Sequence, residues 1–258
     1  MIDSHCHLNY IEKIGTTAEL VQEALDGGVH TIINIGTDLK SCNESIALAE
    51  QFDSIFATVG VHPHDAKTVD DALLTQLKEF TAHKKVVAVG EIGLDYYRDL
   101  SPRDIQKKVF RQQLELAVET KLPIVIHTRE SFDDTLEIVK DYAFDLPGGV
   151  FHCFPGDIKQ AETVIDLGFV ISVGGVITYK NASMADVAAY APLDKIILET
   201  DAPYLTPTPY RGKTNRPLYV KYVYEHLATL KKISVSEVEK QVDRNVQKLF
   251  KLVETFGD

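Results

Sequence analysis

Eight short, β-branched apolar runs separated throughout by amphipathic or capped stretches predict an α/β fold, a single-domain (β/α)8 TIM barrel spanning residues 1–258. Two further observations point the same way. A chain of 258 residues suits one such barrel and requires no second domain. The polar residues that interrupt the runs fall at or just past their C-terminal ends, where this fold builds its functional face. An open doubly wound sheet is the competing architecture, but no Gly-x-Gly-x-x-Gly follows the first run.

The first strand is expected over Ile2–Leu8, where alternation places Asp3, His5 and His7 on one face and Ser4 and Cys6 on the other. An amphipathic helix follows over Thr16–Asp26, stopped by Gly27 and Gly28. The second strand, His30–Gly36, leads into a helix over Asp38–Gln51, and the third, Ile55–Val61, is followed by His62, His64 and a helix over Asp70–His83. Val86–Leu94 is the fourth strand and carries Glu91 within apolar neighbours. Its helix, Pro102–Thr120, opens on Ser101-Pro102, a cap with proline in the first turn. Leu122–Thr128 ends on His127, and Ser131 with Asp134 resembles a capping box for a helix over Ser131–Tyr142. Gly149–Phe154 contains His152 and precedes a helix over Asp157–Leu167 that Gly168 should stop. Phe169–Val176, the helix Ala182–Tyr190 and the strand Lys195–Thr200 complete the eight units, with Asp201 immediately after. The proline-rich stretch Ala202–Pro217 carries Arg211, Lys213 and Arg216 and reads as a functional or mobile loop. Two helices close the chain, Arg216–Leu230 and Ser234–Phe256, the latter with a Ser234–Glu237 capping box.

Composition excludes several classes. No apolar run approaches the roughly 20 residues needed to cross a bilayer, so a soluble protein with no membrane partner is expected. The first residues lack the basic, apolar and small-residue pattern of a secretory signal, so a cytoplasmic location is expected. Cys6, Cys42 and Cys153 are odd in number and form no Cys-x-x-Cys, which fits free thiols. The formal charge of −11 argues against a broad basic surface for polyanions, though a local patch or a metal-filled cleft can still bind phosphate.

A single histidine at a strand end is ordinary. Here six of the nine, His5, His7, His62, His64, His127 and His152, occupy such ends, whereas His30, His83 and His226 lie elsewhere. Glu91 in an apolar strand needs a partner charge, which a divalent cation supplies. A two-ion site would place His5, His7 and Asp201 on one ion, His127 and His152 on the other, and Glu91 between them. The donor set suits zinc, manganese or iron, and magnesium in a carboxylate-rich version.

Six segments now stand in order: Asp3-Ser4-His5-Cys6-His7, Gly60-Val61-His62-Pro63-His64, Gly90-Glu91-Ile92-Gly93-Leu94-Asp95-Tyr96, His127-Thr128-Arg129-Glu130, Phe151-His152-Cys153-Phe154 and Leu198-Glu199-Thr200-Asp201-Ala202-Pro203-Tyr204-Leu205. Together they resemble the successive signatures of the TatD family of metal-dependent deoxyribonucleases, and the likeness covers essentially the whole chain. The resemblance implies a barrel of the metallo-dependent hydrolase type, divalent metal at His5, His7, Glu91, His127, His152 and Asp201, and hydrolysis of DNA, including 3′ to 5′ exonuclease action. One loop departs from the family pattern. Where members commonly carry Gly-Lys-Arg-Asn-Glu-Pro, this chain has Gly212-Lys213-Thr214-Asn215-Arg216-Pro217.

The expected chemistry is hydrolysis of a phosphodiester by metal-activated water, with two divalent ions (Mg, Mn or Zn), Glu91 as bridge and Asp201 as ligand and proton acceptor. His62 and Arg129 are expected to hold phosphate oxygens, with Arg211, Lys213 and Asn215 extending the contact along the substrate. For Arg129 the bland alternative is a salt bridge with Glu130 or Asp133. Glu199 and Asp95 are expected to orient ligand histidines. Tyr96, Tyr97 and Tyr204 either stack on a terminal base or serve as packing. The acidic charge favours short single strands or 3′ ends over long duplex, acted on by a monomer. Two rivals stand beside this reading. One is a binuclear amidohydrolase or esterase for a small molecule, against which Val86–Leu94 offers Glu91 where many such relatives use a carbamylated lysine. The other is a non-catalytic metal-binding protein.

Overall fold

In the computed structural model, which describes residues 1–11 and 14–252, the eight runs become eight parallel strands hydrogen-bonded in chain order. They are β1 (Ile2–Cys6), β2 (Thr31–Ile35), β3 (Ile55–Val59), β4 (Val86–Asp95), β5 (Ile124–Arg129), β6 (Gly149–Phe151), β7 (Val170–Val173) and β8 (Ile196–Leu198). Helices α1 (Thr17–Asp26), α2 (Leu39–Gln51), α3 (Asp71–Thr81), α4 (Arg103–Thr120), α5 (Phe132–Lys140), α6 (Ile158–Asp166) and α7 (Ser183–Tyr190) connect them, and α8 (Val220–Lys231) and α9 (Val235–Phe250) follow β8. The expected (β/α)8 barrel is therefore the fold. Phe256, expected in the last helix, lies outside the described residues.

Every residue of β1, β2 and β4 is buried, as parallel strands covered on both faces require. The half-exposed alternation that a His-x-His strand suggests is thus absent from β1. Five strands end two to three residues before the apolar pattern does: β1 at Cys6, β3 at Val59, β6 at Phe151, β7 at Val173 and β8 at Leu198. The residues in excess leave the ladder to form the barrel mouth. Three residues just past strand ends take left-handed backbone there: Glu130 (φ 53°), Cys153 (φ 42°) and Asp201 (φ 55°). Non-glycine residues adopt that region at a cost of order 1 kcal/mol or more each, so the surrounding contacts must hold them.

The seam between β1 and β8 is closed unusually. Among the described residues one backbone bridge, Cys6 with Ala202, spans it as a ladder. Side chains add to it: Asp3 accepts from the Thr200 amide (2.9 Å) and hydroxyl (2.6 Å), and the Ser4 hydroxyl donates to the Leu198 carbonyl (2.9 Å). The His7 amide donates to Ala202 and the Asp201 amide to His5.

Capping follows the sequence in part. Thr16, Asp38, Asp157 and Ser234 close capping boxes. Ser101 and Ser131 do not cap. Pro102 itself is the N-cap of α4, and the Ser101 hydroxyl donates instead to the His64 carbonyl (2.8 Å). Ser131 donates to the Leu94 carbonyl (2.8 Å), tying β5 to β4. Both hydroxyls therefore brace the mouth. Gly28 (φ 87°) and Gly168 (φ 90°) do terminate helices in left-handed backbone.

Candidate metal centre

The mouth gathers residues from six strands around Glu91. β4 delivers it fully buried, and its two oxygens face separate groups of imidazoles. Near Oε2 stand His5 Nε2 (3.6 Å) and His7 Nε2 (3.8 Å). These nitrogens lie 3.2 Å apart, and 3.7 and 3.4 Å from Asp201 Oδ1. Near Oε1 stand His127 Nδ1 (2.8 Å), His152 Nε2 (3.0 Å) and His62 Nε2 (3.6 Å). The expected ligands His5, His7, Glu91, His127, His152 and Asp201 thus share one site. His62, expected at the phosphate, stands among them.

Three features fit this donor set to divalent ions. First, atoms that share an ion at about 2.0–2.2 Å lie about 3.0–3.6 Å from one another in tetrahedral or octahedral arrangements. The spacings here match that to within a few tenths of an ångström. Second, His127 Nε2 lies 3.0 Å from Asp95 Oδ2 and its Nδ1 2.8 Å from Glu91 Oε1, so with one proton, on Nε2, the Nδ1 lone pair faces Glu91. Two lone pairs at that range repel unless a cation or proton lies between them. Third, two overlapping groups, His5–His7–Glu91 and His62–Glu91–His127, each bring one ligand atom per residue within 4.8 Å of one another.

Without an ion, the charges strain against one another. Burial opposes charge on Glu91, but attraction to His152 and His62 and hydrogen bonds from His127 and His152 hold its carboxyl well below the usual range. Burial lowers His5, helped by His152, and lowers His62 further, helped by His127. His152 moves the other way, because Glu91 and Glu199 outweigh its burial. Asp201 is held low by His7, His5 and His152 despite its burial.

A ring of supporting residues positions the donors. Asp95 binds His64 Nε2 (3.0 Å) as well as His127, while its other oxygen accepts from the Tyr97 and Arg98 amides. Glu199 lies 3.4 Å from His152 Nδ1 and accepts from the Cys153 amide and the Ser172 hydroxyl. Asp95 thus hydrogen-bonds His127 as expected of an orienting group, whereas Glu199 faces His152 Nδ1 at ion-pair distance without a hydrogen bond. Two supports escape a reading of the sequence. Gln106 clamps the Asp95 amide and carbonyl, and Gln113 clamps those of Val61, next to His62. Their signal is visible in retrospect: polar residues seven apart on the buried face of α4, among Val109, Phe110, Leu114 and Ala117.

The donors line a cavity of about 820 Å³ whose wall includes Arg98, Arg129 and Tyr204. Arg129 forms no salt bridge with Glu130 or Asp133 and instead lies over the Tyr97 ring (3.8 Å). Arg211, Lys213 and Asn215, expected to touch substrate, do not line this cavity. Asn215 is fully buried, and its amide donates to the Thr200 (2.8 Å) and Tyr204 (2.7 Å) carbonyls, so it fastens the loop that carries Asp201. Arg216, the departure from the family pattern, reaches across to Glu23 of α1 in a paired contact at 2.9 and 3.0 Å.

Comparison with known proteins agrees with this geometry. A family model described as TatD related DNase matches residues 2–251. The chain is 40% identical over 253 residues to YabD of Bacillus subtilis, described as an uncharacterized metal-dependent hydrolase, covering 98% of this chain and 99% of the relative. It is 32% identical over 261 residues to TatD of Mycobacterium tuberculosis, another metal-dependent hydrolase, covering 98% of each. The crystal structure of YjjV, a TatD homologue from Escherichia coli, superposes with a TM-score of 0.92 at 35% identity, covering 98% of each chain. A ligand-rich barrel mouth, a family match along nearly the whole chain and these relatives lead to one conclusion: the protein belongs to the TatD family of metal-dependent hydrolases.

Proposed function

We propose that the protein is a divalent-metal-dependent deoxyribonuclease that hydrolyses phosphodiesters in short single-stranded DNA or at 3′ ends, acting as a cytoplasmic monomer with two ions. The observation that carries this reading is the pairing of a two-sided donor set on Glu91 with two guanidinium groups, Arg98 and Arg129, on the same cavity wall. Neither side chain has a carboxylate partner among the described residues, which suits an anionic ester better than a neutral amide.

His5, His7 and Asp201 would hold one ion, His127, His152 and His62 the other, and Glu91 both. Ions bound there supply Lewis acidity toward a phosphoryl oxygen and acidify water. The protein's own residues do the rest. Arg129, steadied on Tyr97, and Arg98 hold non-bridging phosphate oxygens. Asp201, held low by its histidine neighbours, stays ionised and accepts a proton from the attacking water. Asp95 and Glu199 keep His127 and His152 in the tautomers that present lone pairs to the centre.

The cavity volume falls within the range of small-ligand sites, which supports a strand end over a duplex as the substrate. The test is incubation of a 5′-labelled single-stranded 12-mer and a plasmid duplex with Mg²⁺, Mn²⁺ or Zn²⁺, with and without EDTA, alongside Glu91→Gln. Stepwise shortening of the 12-mer from its 3′ end, abolished by EDTA and in the variant and slower on plasmid, is the expected result. Full metal occupancy by elemental analysis with no cleavage of either DNA would sink the proposal. In that case, hydrolysis of a small amide or ester by the same sample would favour the amidohydrolase reading.

A further inference from the structure

The loop after β8 carries a second chemistry that the cavity does not use. From Asn215 it runs outward and then into α8. Tyr210 stacks on Tyr219, with ring centroids 4.4 Å apart and planes 7° apart, and Tyr222 completes the cluster at 5.4 and 5.9 Å. Cations lie over these rings: Lys213 over Tyr210 (5.4 Å), Lys221 over Tyr222 (5.0 Å) and Arg216 over Tyr219 (5.4 Å). Arg211 lies over Tyr179 (4.2 Å), whose hydroxyl donates to the Thr206 carbonyl in the same loop.

Arg216 is neutralised by Glu23. Arg211, Lys213 and Lys221 have no carboxylate at ion-pair distance among the described residues, in a chain with 38 acidic and 27 basic side chains. A packing cluster would satisfy itself with aromatic contacts and would not need three unpaired cations. Cations resting on ring faces have already lost side-chain freedom, so binding a row of anions costs them little further entropy. The spaced cations suit a single-stranded polyphosphate, whose phosphates meet charges that the rings hold in place. The cluster is joined to the cavity through Tyr204, which lines the mouth and whose carbonyl is held by Asn215.

We propose that Arg211, Lys213 and Lys221, with the Tyr210–Tyr219–Tyr222 cluster, form a second binding surface outside the catalytic cavity for the single-stranded DNA segment leading away from the scissile phosphate. The inference rests on the nuclease reading and gives it a polarity: with a 3′ end in the cavity, the surface holds the 5′-ward strand.

The test is anisotropy of fluorescein-labelled phosphorothioate dT15 and dT2 with metal-loaded protein, wild type against Arg211→Gln/Lys213→Gln/Lys221→Gln. The three side chains are at the surface, so the variant should fold, and circular dichroism checks that it does. Expected is a loss of about tenfold or more in dT15 affinity at low salt, with the slope of log affinity against log salt falling by about 2, since each contacted single-strand phosphate contributes about 0.7. Affinity for dT2 and hydrolysis of bis(p-nitrophenyl) phosphate stay unchanged. Equal dT15 binding by the variant overturns the proposal, as does a parallel loss on dT2, which would place the cations at the cavity. The two readings fail separately. Binding of dT15 through these cations without cleavage of an ordinary oligonucleotide removes the nuclease reading and leaves the surface, while cleavage with unaltered binding in the variant does the reverse.

Discussion

Asp95 shows how much of the centre depends on residues that touch no ion. Its Oδ2 stands at hydrogen-bond distance from His127 Nε2 and so favours the tautomer that leaves the Nδ1 lone pair toward Glu91. Asp95→Asn should weaken the ion on the His127 side by about 10- to 100-fold, measured by titration calorimetry with Mn²⁺, while the His5–His7 side changes little. Asn215 makes a different prediction. Removing its amide in Asn215→Ala leaves the Thr200 and Tyr204 carbonyls without their donor, at about 1–3 kcal/mol in urea unfolding, and frees Asp201 to move. His152 sets the pH behaviour. Its proton is held more firmly than usual in the metal-free protein because Glu91 and Glu199 outweigh burial, so metal loading near pH 7 must expel it. The metal-free fold draws stability from that proton below the unfolded histidine range and loses it as pH rises through the raised folded value. The melting-temperature gap between loaded and chelated protein should therefore widen from pH 7 to pH 8, and a constant gap would contradict the assignment. At this scale the convergence of the donor residues was legible, because a histidine or glutamate closing an apolar strand is conspicuous. Asn215 and Arg216 were not: their partners, Thr200 and Glu23, are neighbours only once the barrel exists.

At the scale of elements, β4 and α4 carry the most information. Gly93, two residues after Glu91, has φ 141°, and an added Cβ would sit 2.0 Å from the His127 carbonyl oxygen. Gly93→Ala should cost about 2–4 kcal/mol and displace β5 at its ligand. Gly168→Ala makes the control: φ is also positive (90°), but nothing lies within 4 Å, so only the conformational cost of about 1–2 kcal/mol is expected. On α4, Gln113→Leu keeps volume but abandons the Val61 amide and carbonyl, with an expected loss of about 1–3 kcal/mol and a displaced His62. The eight strands and their order were readable because β-branched runs bounded by caps and glycines have few other ways to fold. Their ends were overrun because mouth residues such as Val61 and Thr200 continue the apolar pattern after the backbone has left the ladder. Ser101 and Ser131 misled as caps for a related reason, since the mouth claimed both hydroxyls.

For the whole molecule, the metal centre and the stability of the fold are one account. Ions that bind the native state alone stabilise it by about 2.7 kcal/mol at a hundredfold excess over Kd, so chelation should lower the melting temperature and re-addition should restore it. On the proposed nuclease reading, the excess of acids over bases would keep long duplex away and leave the unpaired cations of the rim to steer a strand inward. The β1–β8 seam adds a constraint in time. On the proposed assignment one ion needs His5 and His7 together with Asp201, nearly two hundred positions later, and Asp201 sits on an edge held by Asp3, Ser4, one backbone bridge and the Asp201–His5 backbone hydrogen bond. Synthesis runs from the N-terminus, so a nascent chain presents its two histidines long before any carboxylate arrives to complete that site. Unfinished or truncated chains consequently lack the full donor set, and on the proposed reading hydrolysis waits for the last strand.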